Sequence, residues 1–177
     1  MVDDVSDGSA PLPPLTTIPP DLQSLSDYER LAQAHLPPGT WRHIQAGADQ
    51  ELSLAANRAL FDRRTLVPRM LTDMRGATTT VNLFGLRHAA PILLAPVAYD
   101  RLAHPQGEVA TISAATALDT TMAVSTLSSI PLEEIAHAAR AAAAELGRPA
   151  PPPLWFQLYL QPDRADGAIA NHRQRGV

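Results

Sequence analysis

The sequence predicts an α/β fold with a parallel sheet, entered through a run of short helices. Three continuous apolar runs carry the sheet: "PILLAP" (91–96), "TMAVST" (121–126) and "LWFQLYL" (154–160). They alternate with segments of helical pattern, "GEVATISAATALD" (107–119), "PLEEIAHAARAAAAELG" (131–147) and "DRADGAIANHRQRG" (163–176). Strands covered on both faces read as unbroken apolar runs, and strand–helix alternation builds βαβ units. A closed (β/α)8 barrel needs eight such units and typically about 250 residues, and three strands alone leave an edge unpaired. The chain is therefore expected to be the first three βα units of a barrel, incomplete in these 177 residues. The alternative is a small open sheet of flavodoxin type. Against it, no GxGxxG or GxxxxGK[ST] loop follows any of the strands.

The helical prelude is read from caps and periodicity. In "SLSDYERLAQAHL" Ser26 and Glu29 have capping-box spacing, and Tyr28, Leu31, Ala32 and His35 recur at helical intervals. Pro37-Pro38 ends that helix and opens "GTWRHIQAGA", which Gly47 closes. A third helix follows, with Asp49 as N-cap and Leu52, Ala55, Ala56, Ala59 and Leu60 on one face. "TTVNLFG" (79–85) reads as a short strand and a turn. Before all of these, five prolines within residues 11–20 predict a disordered arm over residues 1–24. Four prolines among residues 149–153 predict an extended connector.

Composition bounds the function. A hydrophobic fraction of 45% and a net charge of −4 fit one globular core, give no basic face for nucleic acid, and contain no run long enough to span a membrane. The acidic, polar N-terminus does not read as a secretory leader. Cysteine is absent, which excludes disulfides, thiolate metal sites and cysteine nucleophiles and makes the cytoplasm the expected compartment. Lysine is absent too. All 14 basic residues are arginine, so no lysine Schiff base can come from this chain. No metal site is expected.

In a barrel the chemistry sits at the C-terminal ends of the strands. Here those ends read "APVAY" (95–99), "STLSS" (125–129) and "FQLYL" (156–160). Together with "AGADQELSLAANRALFDRRTLVPRML" (46–71) and "AHPQGE" (103–108), they resemble the FMN-dependent α-hydroxy acid oxidases and dehydrogenases. That family includes glycolate oxidase, lactate oxidase and mandelate dehydrogenase. "PVAYDRL", "TLSS" and "WFQLY" are most similar to its hydroxymandelate oxidase branch. The likeness covers Leu25 to Val177 and runs without a gap from Leu36 to about Ala136, after which "AAAAELGRPAPPP" looks enlarged.

The resemblance implies a TIM barrel that oxidises an α-hydroxy acid to the α-keto acid by hydride transfer to FMN. It places the backbone of Pro96, Val97 and Ala98 against the flavin ring. It puts the Ser125 hydroxyl near the pyrimidine edge and the Gln157 amide on the ring's N3–H and C4 carbonyl. Tyr159 becomes a catalytic and substrate-binding hydroxyl, and Leu127 a substrate-pocket residue whose size varies in the family. His43 stands where glycolate and lactate oxidases carry a substrate-binding tyrosine, which puts a short-chain substrate in doubt and makes an aryl, mandelate-like acid the expected one. His104 is expected to shape a turn. The base histidine, the clamp arginines and the phosphate loops come from later units, so His172 and Arg173 do not take those roles. The expected partners are the remainder of the barrel and a second copy of the complete unit. The competing reading is a non-catalytic fragment or interaction module that keeps the start of the fold. Taken singly, each motif has a plain structural reading: a proline ending a strand, a serine at a strand end, a tyrosine packing its ring.

Overall fold

The computed structural model describes residues 11–13 and 15–159. The helix candidate at 163–176, with His172 and Arg173, lies outside the described residues, as does most of the N-terminal half of the Pro-rich arm. The chain forms two compact units, Met1–Thr72 and Asp73–Val177.

The first unit carries three helices, α1 (Leu25–His35), α2 (Pro38–Gln45) and α3 (Leu52–Asp62). Helix α1 begins two residues earlier than the expected Ser26 cap. Ser24 is the N-cap, and the Asp27 carboxylate accepts from the Ser24 amide and hydroxyl, both at 2.8 Å. A charged carboxylate three residues into the helix satisfies the orphan amide and faces the positive end of the helix dipole. The Ser24 hydroxyl and the Ser24 and Gln23 amides, in that order, hold the Asp27 carboxyl below its ordinary range. Glu29 instead accepts from the Gln45 amide of α2 at 2.9 Å. Part of the arm is tied to α1: the Leu12 amide donates to Ala34 O at 2.9 Å, and His35 Nδ1 lies 2.7 Å from Pro13 O.

Pro37 and Pro38 open α2 as expected, because a proline at the first helical position loses no internal hydrogen bond. Gly47 does not close it. The C-cap is Ala46 in extended backbone, and the Gly47 amide donates to the Glu51 carboxylate at 3.0 Å. Asp49 is not the N-cap of α3 either. That place is taken by Glu51 at φ +59, with Asp49 also in left-handed backbone at φ +50. Two left-handed residues turn the chain so sharply that the cap shifts past Asp49. The expected apolar face of α3 is exposed throughout, Leu52 included.

The second unit opens with a hairpin, β1 (Val81–Leu83) and β2 (Leu86–His88), paired antiparallel. Phe84 and Gly85 both have positive φ, +51 and +79, the two-residue turn whose twist matches a hairpin. The return strand β2 was not expected from the sequence. Its last residue, His88, is buried, lies 3.0 Å from the Thr121 hydroxyl, and meets the edge of Trp155 at 5.9 Å between ring centroids.

The alternating part follows as predicted. Helix α4 (Glu108–Ala117) leads to β3 (Met122–Val124), and α5 (Leu132–Glu145) leads to β4 (Leu154–Phe156). Strands β3 and β4 pair parallel with Met122 opposite Leu154. The first apolar run joins them through one parallel bridge, Leu94 to Met122, with Leu94 N–H donating to Thr121 O and Ala123 N–H donating to Leu94 O. The strands thus lie side by side in chain order, the usual arrangement of consecutive βαβ units. Among the described residues β4 has no second neighbour.

Leu94, Met122, Val124, Leu154 and Phe156 face the helices and pack on Ile112, Leu132, Ile135 and Ala139. Side chains alternate along a strand, so Ala123, Ser125, Trp155 and Gln157 face the other way. The buried positions of α5, Leu132, Ile135, Ala136, Ala139 and Ala143, form a helical stripe rich in alanine, which lets α4 and α5 approach closely. Both helices end in a Schellman turn: Thr120 N–H donates to Ala115 O at 2.9 Å, and Arg148 N–H to Ala143 O at 2.8 Å. The Arg148 guanidinium then reaches back to the Thr116 and Ala117 carbonyls, capping the negative end of α4. Among the described residues, no helix is long and apolar enough to cross a membrane.

Candidate functional site

Three strand ends, 95–99, 125–129 and 157–159, emerge at the same edge of the parallel sheet and are stitched together by hydrogen bonds. Ser125 is central. It is buried, its hydroxyl donates to Gln157 Oε1 at 3.2 Å, and it accepts from the Leu127 amide at 3.1 Å. A serine hydroxyl has one hydrogen and two lone pairs, so one lone pair is left. Gln157, half-buried, continues the β4 ladder by donating its N–H to Val124 O at 2.9 Å. Its side chain keeps a pair of N–H donors and one further lone pair free of the Ser125 bond. Turning the amide over would swap which of the two groups faces outward.

Thr126 clips the second and third strand ends together. Its hydroxyl donates to Gln157 O and accepts from the Tyr159 amide at 3.0 Å. The Tyr159 side chain is about half exposed. The first strand end is tied in by Tyr99, whose N–H donates to Leu127 O at 3.1 Å. Among the described residues, the Val97 and Ala98 N–H groups make no hydrogen bond, and Val97 is exposed. Pro96, with no N–H of its own, begins this unpaired stretch.

A short 3₁₀ turn, Asp100–Leu102, and the turn at His104 carry the chain from Tyr99 to α4. His104 Nδ1 accepts from the Gln106 amide at 3.2 Å, which fixes it within the turn. Gly107 has φ +50, and a Cβ there would lie 2.9 Å from Arg101 Cγ. Only glycine fits that backbone and that gap. Burial first, and then the charge of Glu108, push the Asp100 carboxyl above its ordinary range; the Thr111 hydroxyl, donating to it at 3.2 Å, opposes them.

The structure therefore brings Pro96, Val97, Ala98, Ser125, Leu127, Gln157 and Tyr159 to one set of connected strand ends. His43 belongs to the other unit, where it is exposed in the last turn of α2. Sequence reasoning passed over Thr126, although a hydroxyl between a site serine and a site leucine is a usable signal. It also gave Glu108 no role beyond shaping, with Gly107, the start of the next helix.

The donor set is chemically suited to a ring that carries alternating carbonyl oxygens and N–H groups along one edge. The Val97 and Ala98 amides, unpaired among the described residues, on one strand end and a serine–glutamine pair on the next two offer donors and acceptors together. The chain belongs to the FMN-dependent dehydrogenase family, whose model matches residues 32–174. It is 42% identical over 151 residues to L-lactate oxidase of Alicycliphilus denitrificans, covering 85% of this chain and 38% of that one. It is 44% identical over 136 residues to 4-hydroxymandelate oxidase of Amycolatopsis orientalis, covering 77% of this chain and 35% of that one. Among solved structures, the crystal structure of Mandelate oxidase superposes with a TM-score of 0.73 at 40% identity, over 86% of this chain and 41% of that chain. A Mandelate oxidase mutant solved with the C4a-OH-FMN adduct superposes with a TM-score of 0.72. The chain thus spans less than half the length of the relatives it matches.

Proposed function

We infer that this chain supplies one wall of the flavin site and part of the substrate pocket of an FMN-dependent α-hydroxy acid oxidase. Residues 25–177 are the N-terminal part of its barrel, residues 1–24 a Pro-rich arm, and the remaining βα units complete it. The observation that carries the reading is the hydrogen-bonded Ser125–Gln157 pair on adjacent parallel strand ends, joined through Leu127 and Tyr99 to the Val97 and Ala98 amides, which are unpaired among the described residues. FMN, when bound, supplies the two-electron acceptor for the hydride that leaves the substrate carbon. The Val97 and Ala98 amides and the Gln157 side chain bind and orient it, and Ser125 holds Gln157 in place. Tyr159 donates its hydroxyl hydrogen to the substrate oxygen as the carbonyl forms. Leu127 bounds the space for the substituent on the substrate carbon, and the resemblance gives His43 a substrate-binding role of its own. The base that takes the hydroxyl proton and the arginines that clamp the carboxylate are assigned to later units. An oxidised acceptor, oxygen or another, accepts the electrons afterwards. Both relatives named for aryl acids and those named for lactate match this chain, and His43 in place of a tyrosine favours an aryl acid of the mandelate kind.

The test is anaerobic reduction of the flavin in the full-length protein that carries this chain, offered mandelate, lactate and glycolate in turn. Loss of the flavin's visible absorbance with mandelate at least as fast as with lactate is the expected result. No reduction by any α-hydroxy acid refutes the oxidase reading and leaves the interaction-module reading in its place. Reduction by the short acids alone refutes only the aryl preference. A second test concerns the cofactor. Gln157→Leu removes hydrogen bonds together worth about 1–3 kcal/mol, so FMN should bind roughly ten- to a hundredfold more weakly. Titration of the apoprotein, followed by quenching of FMN fluorescence, measures this, and an unchanged Kd contradicts the assignment.

A further inference from the structure

The family assignment leaves one buried carboxylate unexplained. Glu108, in the first turn of α4, is 1% exposed and lies behind the strand ends rather than among the residues assigned to the flavin or substrate. Its Oε1 accepts the Ser129 N–H. Its Oε2 is buried and has no hydrogen-bond partner among the described residues. A buried carboxylate is costly, and a half-satisfied one more so, unless what it holds in place matters.

What it holds is the loop that presents Leu127. That loop is anchored at both ends and in the middle. At its start, Leu127 N–H donates to Ser125 Oγ at 3.1 Å, and Ser128 N–H to Ser125 O at 3.2 Å. In the middle, Leu127 O accepts from Tyr99 N–H. At its end, Ser129 is gripped from two sides, by Glu108 on its N–H and by the Arg101 N–H donating to its Oγ at 3.1 Å. Of these anchors, Glu108 is the only one that comes from the helical layer; the rest come from the loops themselves. Gly107 makes its approach possible. With φ +50 and a Cβ position 2.9 Å from Arg101 Cγ, any other residue would strain the turn that leads into α4 and directs the carboxylate at Ser129.

We propose that Glu108 is the positioning residue for the Ser125–Ser129 loop, and that through it the enzyme sets the substrate selectivity exercised at Leu127. The proposal rests on the oxidase reading for the selectivity and on the hydrogen bonds alone for the loop. Without the carboxylate, the Ser129 N–H loses its buried acceptor, the loop end loses its tie to α4, and Ser129 is left with the Arg101 N–H on its hydroxyl. Tyr99 itself sits in left-handed backbone at φ +57, a conformation that persists only where its surroundings fix it. Leu127 then samples several positions, and the pocket discriminates less between a bulky and a short substituent.

The experiment uses the full-length, flavin-loaded protein and two readouts, hydrogen exchange of residues 125–129 and the ratio of kcat/KM for mandelate to that for lactate. Glu108→Gln keeps a carbonyl oxygen in the place of Oε1, and should retain both the slow exchange and the wild-type ratio. Glu108→Ala should speed exchange in the loop and shift the ratio by about tenfold, mostly in KM, with FMN still stoichiometric. If Glu108→Ala does not fold, Glu108→Asp decides, since a carboxylate one methylene shorter no longer reaches Ser129. Faster loop exchange in Glu108→Asp supports the proposal, and unchanged exchange overturns it. Unchanged loop exchange or an unchanged ratio in a folded Glu108→Ala protein overturns it too, as does a Glu108→Gln protein that behaves like Glu108→Ala. A wild-type protein whose flavin no α-hydroxy acid reduces refutes the oxidase reading, and hydrogen exchange then decides the positioning role by itself.

Discussion

Ile135→Ala is expected to lower the unfolding free energy by about 2–5 kcal/mol. Ile135 is fully buried in the first turn of α5 and belongs to one core cluster with Ile112 of α4 and the strand residues Met122 and Val124. Truncation removes three carbons from contact and leaves a cavity, because neighbours fixed in helices and strands relax only in part to fill it. The same change at Leu52 of α3, which is 72% exposed, should stay within about 0.5 kcal/mol, since little buried surface is lost. Denaturant unfolding followed by circular dichroism gives both numbers. Equal losses at the two positions would show that the apolar core is not where the structure puts it.

That contrast also explains what could be read from the sequence. The βα alternation was legible because each strand is apolar on both faces and each helix carries its stripe: Ile112 and Ala115 on α4, and Leu132, Ile135 and Ala139 on α5, fall where the period puts them. The caps were less legible. Ser24 and Ser26 both precede an acidic residue three positions on, and only Asp27's reach to the Ser24 amide decides between them. The left-handed backbone at Asp49 and Glu51 leaves no composition signature, so the start of α3 was misplaced. The site was legible as residue types at strand ends, through the resemblance. Its wiring was not. That Ser125 gives its hydrogen to Gln157, that Thr126 bridges to Tyr159, and that Glu108 grips Ser129 across 21 residues are tertiary facts which no periodicity encodes.

Tyr159→Phe in the complete, flavin-loaded protein is expected to slow flavin reduction by roughly ten- to a hundredfold, the cost of losing about 1–3 kcal/mol of hydrogen bonding to the forming carbonyl. The loss should appear in kcat more than in FMN affinity. The Tyr159 backbone is held by Thr126, whose hydroxyl accepts its N–H at 3.0 Å, and the substitution leaves that bond untouched. The substitution therefore leaves the backbone anchor in place and removes only the hydroxyl. His43→Phe should act differently, changing which acid is preferred more than how fast the best one reacts, because it replaces a polar ring with an apolar one of similar size at the position where glycolate and lactate oxidases carry a substrate-binding tyrosine. Anaerobic stopped-flow reduction with mandelate and with lactate separates the two effects. A Tyr159→Phe protein that reduces its flavin at the wild-type rate with both acids removes Tyr159 from the chemistry. A slowed rate accompanied by loss of FMN instead assigns the residue to holding the cofactor.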